Sequence, residues 1–429
     1  MAKARRAGSS EKAGSPADGK ARRAAGGKGK KARADQAPPP VPGTAAPAEV
    51  WRLRAARPEV TATSPTRRAR IVHAEAFLAE IAVERVRTDA VQAFRAQETI
   101  FVELTDEDGA TGLGYSYTIG TGGTSVLALL RDHLLPLLQG QDARRIEAIW
   151  HRLFAATRST TVGALTSLAL AAVDTALWDL RGKHTGEPLW RLAGGFRDRV
   201  PAYDTEGGWL HLSQDELVAE ALVAKEAGWR GIKVKIGKPD AQEDLARLRA
   251  VRGAVGPEFA LMVDANQSLT VAGAIQRARL FEPVDLGWLE EPLPADDVAG
   301  HQRLAAATSI PVAVGESLYS VGQFREYLHR QAAGIVQVDV ARIGGITPWL
   351  KVAHLAEAYH VQVCPHFLME LHVSLAAAVP NGRYVEHIPQ LRAVTTAELA
   401  FVDGHALAPD APGLGIAWDR DALENLRRA

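Results

Sequence analysis

Six ionisable residues recur along the second half of the chain at intervals of one strand-plus-helix unit, each at the end of a short apolar run. Asp264, Glu290 and Glu316 lie 26 residues apart; Asp339 follows after 23, His366 after a further 27 and Glu386 after another 20. The runs Gly231–Lys235, Leu261–Asp264, Leu286–Glu290, Pro311–Val314, Ile335–Asp339 and Val361–Cys364 read as buried strands, being short and rich in β-branched residues. Stretches of helical length separate them, the alternation that builds a parallel sheet from βα units. Closing that sheet into a (β/α) barrel brings every C-terminal strand end to one mouth, where active sites of this architecture sit. One pocket then collects the whole series.

Strand alternation sorts the neighbours, because residues two apart share a face. Lys233 and Lys235 point together, as do Asp264 and Asn266, and only one of Glu290 and Glu291 can enter the barrel. Taken singly, each acid is a helix cap or a surface ion pair. Three of them in register at strand ends, in contexts as apolar as Leu261-Met262-Val263 and Trp288-Leu289, make a metal site. The chain has one cysteine, Cys364, so the ligands are hard oxygens, which favour Mg²⁺ or Mn²⁺ over zinc. A cation beside a lysine pair and a distant histidine suits removal of the proton next to a substrate carboxylate, since it neutralises the enediolate that forms. To serve as a base, Lys235 needs a depressed pKa, which Lys233 and the cation would supply. Asp339 is placed to orient His366 through a ring nitrogen. Cys364 and His372 are read as packing residues, and Arg342 either reaches the mouth or caps a helix.

A chain of 429 residues accommodates two domains with sizeable cores. Eleven basic residues face three acidic ones before residue 36, a net +8 in a chain of formal net charge +0. This stretch is rich in Gly, Ala and Ser and runs into Pro38-Pro39-Pro40, so residues 1–68 are expected to be a disordered tail. The readings open for it are a solvated tail, a mis-assigned start, a polyanion-binding arm and a targeting segment. Residues 69–196 form an α+β capping domain, with a turn at Asp106-Glu107-Asp108-Gly109 and helical spacing from Ser125 to about Gly186. Residues 197–394 form the barrel, and residues 395–429 return to pack on the cap. Ser213-Gln214-Asp215-Glu216 is a capping box. With no apolar run near the ~20 residues of a membrane span, the expectation is a cytoplasmic protein without a membrane partner. Nucleic acid is not expected as a partner.

Ile232-Lys233-Val234-Lys235, Val263-Asp264-Ala265-Asn266, Leu289-Glu290-Glu291-Pro292, Gly315-Glu316-Ser317, Asp339 before Ile343-Gly344-Gly345, Pro365-His366-Phe367 and Val385-Glu386-His387 together resemble the mandelate racemase-like subgroup of the enolase superfamily, from about Ile71 to the end. The resemblance implies a modified (β/α)7β barrel, α/β in class, behind an α+β cap. It implies Mg²⁺ on Asp264, Glu290 and Glu316, with Glu290 chosen over Glu291. Lys235 and His366, the latter polarised by Asp339, become the acid/base pair. Lys233 holds the substrate carboxylate, and Glu386 hydrogen-bonds it as a protonated acid. The cap sets substrate choice, which points to a loop between Val83 and Gln97 and to Tyr115 and Tyr117; Asn266 joins them as a substrate contact. Tyr203–Trp209, Glu291-Pro292-Leu293 and Pro365–His372 look most like the acid-sugar dehydratases acting on talarate and galactarate. The implied reaction removes the α-proton and expels the β-hydroxyl to leave a 2-keto acid, with racemisation or epimerisation of a 2-hydroxy acid as the alternative. A remoter alternative is a non-enzymatic barrel whose tail binds nucleic acid. A homo-oligomer is expected from the resemblance.

Overall fold

A computed structural model describes residues 69–428; the tail assigned to residues 1–68 lies outside the described residues. Three antiparallel strands open the cap: β1 (Ile71–Thr88), β2 (Ala93–Asp106) and β3 (Thr111–Thr118). Register places Phe77 opposite Phe101 and Phe101 opposite Tyr115, and the first two rings stack with centroids 5.1 Å apart. The opposite face of the sheet carries the helix Ala164–Thr185, buried throughout from Thr166 to Leu180. That approach depends on glycine in β3, since a Cβ on Gly114 would lie 2.1 Å from the Ala176 nitrogen. The C-terminal segment returns to this sheet, Trp418 meeting Phe101 edge-on and Arg427–Arg428 pairing beside β1.

The barrel strands are β4 (Arg199–Asp204), β5 (Gly231–Lys235), β6 (Ala260–Asp264), β7 (Leu289–Glu290), β8 (Val312–Val314), β9 (Ile335–Val336), β10 (Gln362–Val363) and β11 (Val385–His387). They run parallel in chain order from β4 to β10, and one helix follows each. β11 pairs in parallel with β4, and an isolated parallel bridge joins Val363 to Gly382 on the other side. The result is a (β/α)7β barrel behind an α+β cap. The helix Gln214–Glu226 starts on the expected capping box, Ser213 Oγ accepting from the Glu216 amide and Glu216 accepting from the Ser213 amide.

Inside the barrel, Tyr203, Met262, Trp288, Ala313, Ile335 and Cys364 form one buried cluster. Burial pushes the Cys364 thiol up to about 12, so it packs as a small apolar group. Two residues further along each strand, on the same inward face, come Thr205, Asp264, Glu290, Gln337 and His366. β8 is the exception. Gly315, two after Ala313, has φ 153° and abuts the Gln337 backbone, where a Cβ would lie 2.6 Å from the Gln337 carbonyl carbon. That kink lets Glu316, one residue later, enter the mouth instead.

Candidate active site

The strand ends bring Asp264, Glu290 and Glu316 together, all three buried, with carboxylate oxygens within 4.8 Å of one another. Trp288 Nε1 and Gln337 Nε2 both donate to Glu290 Oε2, at 2.9 and 2.6 Å. The Asn266 amide donates to Asp264 Oδ1 at 2.9 Å across a turn in which Asn266 itself has φ 42°. Arg342 Nη1 reaches Glu316 Oε1 at 3.2 Å, while Glu316 Oε2 is buried without a hydrogen-bond partner among the described residues. An all-oxygen donor set, oriented by outer hydrogen bonds and keeping one oxygen free of any hydrogen bond, fits a hard divalent cation. Glu291 turns away at φ 36° and takes Gln267 Nε2 at 3.2 Å, so Glu290 is the member that enters the barrel.

β5 carries Lys233 and Lys235 into the same space. Lys233 Nζ lies 2.8 Å from Glu290 Oε1 and 2.7 Å from Glu386 Oε1. Lys235 Nζ contacts Asp264 Oδ2 and, at 3.0 Å, Asn266 Oδ1. On the other side His366 Nδ1 donates to Asp339 Oδ2 at 2.8 Å, leaving Nε2 directed at Glu316 Oε2, 3.3 Å away. His372 joins the loops behind this pair, with Nδ1 on the Phe367 carbonyl at 3.0 Å and Nε2 accepting from the Val340 amide at 3.1 Å.

Burial and charge set the protonation pattern. Burial opposes the Lys233 charge, but Glu290 and Glu386 outweigh it and hold its pKa well above the ordinary lysine value. Burial pushes Glu290 up to about 7, whereas Lys235 and Lys233 overcome burial at Asp264 and hold it down. Asp339 is likewise drawn down to about 2 against its burial, chiefly by His366, and His366 is raised by Glu316 and Asp339. Burial opposes the Lys235 charge, but Asp264 outweighs it and raises its pKa; the depression expected of a base belongs to the cation-loaded site, with that carboxylate committed to the ion. Burial likewise opposes the Glu386 charge, but Lys233 outweighs it and holds the carboxyl below the ordinary range. It accepts from Lys233, from Thr205 Oγ1 at 2.7 Å and from the Phe367 amide at 2.8 Å, three donors that favour the anion.

The cap residues divide. Tyr117 hydrogen-bonds Asp339 rather than an open substrate space, at 2.7 Å. Tyr115, two residues earlier on the same face, is buried between Phe101 and Trp418 and has no hydrogen bond to the site, because the returning C-terminal segment covers it. The stretch read as a loop between Val83 and Gln97 is the paired tip of β1 and β2. Its turn is capped by Asp89 Oδ1 on the amides of Val91 and Gln92. That tip is fastened to the barrel: Thr88 Oγ1 lies 2.6 Å from His211 Nδ1, and Arg87 pairs with Glu206 at 2.6 Å. Charge spacing alone does not single out Trp288, Gln337 or Thr205, although the first two stand two residues before Glu290 and Asp339 on the same inward faces. Of the two places open to Arg342, the mouth and a helix cap, the guanidinium takes the mouth.

A capped (β/α)7β barrel with a hard-cation site between a lysine pair and a histidine has the architecture of the enolase superfamily. Residues 216–422 match the enolase C-terminal domain-like family, and residues 74–194 match the mandelate racemase / muconate lactonizing enzyme N-terminal domain. The chain belongs to this mandelate racemase / muconate lactonizing enzyme group of the superfamily. It is 39% identical over 323 residues to L-talarate/galactarate dehydratase of Salmonella typhimurium, covering 75% of this chain and 81% of that one. It is 38% identical to 3,6-anhydro-alpha-L-galactonate cycloisomerase of Streptomyces coelicolor, over 80% and 99% of the two chains. Among solved structures, L-talarate dehydratase of a Polaromonas species, complexed with Mg and L-glucarate, superposes with a TM-score of 0.80 at 38% identity, over 84% of this chain and 98% of that one. No helix among the described residues is long and apolar enough to cross a membrane.

Proposed function

We propose that this protein is a Mg²⁺-dependent dehydratase of an acid sugar, an aldonate or aldarate, giving a 2-keto acid. One observation carries the reading: two proton carriers meet different members of one carboxylate triad, Lys235 at Asp264 and His366 at Glu316. A substrate carboxylate held there has its α-carbon between them. Mg²⁺ on Asp264, Glu290 and Glu316, when bound, supplies the positive charge that makes the α-proton removable. Lys233, braced by Glu386, holds the substrate carboxylate. In the route through the lysine, neutral Lys235 takes the α-proton. His366, protonated at Nε2 and backed by the ionised Asp339, gives its proton to the β-hydroxyl. The β C–O bond breaks, water leaves, and the enol tautomerises to the 2-keto acid. Similarity to the talarate/galactarate dehydratase at 39% identity and to the glucarate-bound L-talarate dehydratase supports acid sugars as the substrate class.

The second reading keeps the proton abstraction and changes its outcome. Two carriers on different sides also allow return of the proton, as in racemisation or epimerisation, and the relative at 38% identity named a cycloisomerase shows that this group is not confined to dehydratases. Proton NMR of the Mg²⁺-loaded protein in deuterated water separates the readings, using a panel of aldonates, aldarates and other 2-hydroxy acids. Loss of the α-proton signal together with a 2-keto product is the expected result. Exchange without elimination assigns the racemase or epimerase, and no 2-keto acid from the whole acid-sugar panel overturns the dehydratase.

A further inference from the structure

We infer that Tyr117, carried by the cap, is a positioning residue for His366: it fixes the Asp339 carboxylate that orients the imidazole, so the histidine side of the site is complete only with the cap docked. The inference rests on the proton transfer proposed for His366.

The geometry at Asp339 is the basis. Its Oδ1 accepts from the amides of Ala341 and Arg342, at 2.8 and 3.1 Å. Its Oδ2 accepts from His366 Nδ1 at 2.8 Å and from the Tyr117 hydroxyl at 2.7 Å. Three of those four donors belong to the barrel; the fourth is the end of a cap strand, from a residue 2% exposed. The phenol ring is held as well, tilted on Phe367 with centroids 4.6 Å apart and with the Arg342 guanidinium 5.8 Å from its centre. Phe367 follows His366 directly, so one tyrosine grips both members of the pair, the carboxylate through its hydroxyl and the histidine's loop through its ring. Burial and the nearby Asp339 charge keep the phenol protonated, and Arg342 is not enough to reverse this. Tyr117 is therefore a donor to Oδ2. With Oδ1 pinned by two amides and Oδ2 by Tyr117, the carboxylate cannot rotate, and the lone pair left on Oδ2 holds Nδ1–H. That hydrogen bond selects the tautomer whose Nε2 faces the triad.

The test is Tyr117→Phe, which keeps the ring and removes the hydroxyl, assayed with the acid sugar that the panel identifies. Removing a hydrogen bond to a buried carboxylate should lower kcat by about ten-fold while KM stays within about two-fold, because no contact to bound substrate is lost. In a His366→Asn background the same change should cost nothing further in the residual α-proton exchange, since the two substitutions break one chain of contacts. A signature that needs no substrate accompanies these: nitrogen-15 NMR of the histidine rings, with the His366 signals assigned by their absence in His366→Asn, should show them displaced in Tyr117→Phe. A kcat loss that persists undiminished in the His366→Asn background, or His366 signals that do not move, overturns the inference. If the parent protein exchanges no acid at all, the functional reading fails separately, and the ring signals alone decide the role of Tyr117.

Discussion

Lys233 and Lys235 come from one five-residue strand, whereas His366 depends on Asp339, 27 residues earlier, and on Tyr117, 222 residues before that. The lysine side is a property of β5: once the strand is in the barrel, the two-residue period aims both ammonium groups inward. The histidine side is a property of the assembly. It needs the ends of β9 and β10, the His372 link between their loops, and a strand of the cap sheet. Loosening of the cap is therefore expected to reach the histidine side before the lysine side, although both work on the same carboxylate triad.

The largest expected effect erases the difference. Exhaustive chelation, or Glu316→Gln, removes the charge that both sides need, so α-proton exchange in deuterated water should fall by about a thousand-fold or more whichever carrier is used. Re-addition of Mg²⁺ should restore the chelated protein and not the variant. If chelated protein still exchanges at the parent rate, the triad is not the centre of the reaction.

Single-side substitutions should then separate what chelation merges. Lys235→Ala and His366→Asn should each lower turnover by about 10²–10⁴-fold, the range of a positioned general acid or base. Each should leave slow exchange by the other group, readable as deuterium delivered to one face of the substrate. Asp339→Asn should follow His366→Asn in which face is lost, since Asp339 acts through the imidazole. If Asp339→Asn silences the lysine face equally, the two sides are not independent.

The same contrast explains what was legible in the sequence. The triad and the lysine pair follow from strand-end spacing and from alternation, both local rules. Gln337 was hidden only because it lacks a charge: it sits two residues before Asp339 on the same face and holds Glu290. Tyr115 and Tyr117 share a face of β3, and nothing local tells which meets the barrel. That depends on Trp418, 301 residues beyond Tyr117, covering Tyr115. The Val83–Gln97 stretch reads as a loop because Glu84, Arg85, Arg87, Thr88 and Asp89 break the apolar pattern. In the fold several of these polar groups are used in fastening the hairpin, Arg87 to Glu206 and Thr88 to His211. Protonation was least legible. The pKa values of Lys235 and Glu386 are set by ion pairs and hydrogen bonds to residues on other strands.

The smallest expected effect concerns His372, which ties the loops of the histidine side without touching the triad. Nδ1 meets a carbonyl, so it must carry the proton; Nε2 accepts an amide, so it must not. The ring is thus neutral in the fold, and burial lowers its pKa to about 4, against the upward pull of Asp339. With a folded pKa below the ordinary histidine value of ~6.5, the unfolded chain binds the extra proton first as pH falls. This contribution to stability is therefore fully present above pH ~6.5, declines as pH drops below that, and is exhausted near pH ~4, at up to ~1.4 kcal/mol per pH unit. Urea unfolding at pH 7 and pH 5 should show the parent losing about 2 kcal/mol more than His372→Gln over that interval. Other carboxylates and histidines titrate in both proteins alike, so the difference between them isolates this residue. Parallel loss in parent and variant would mean that His372 accommodates a proton in place, which its two hydrogen bonds forbid, and the loops behind His366 would then be joined in some other way.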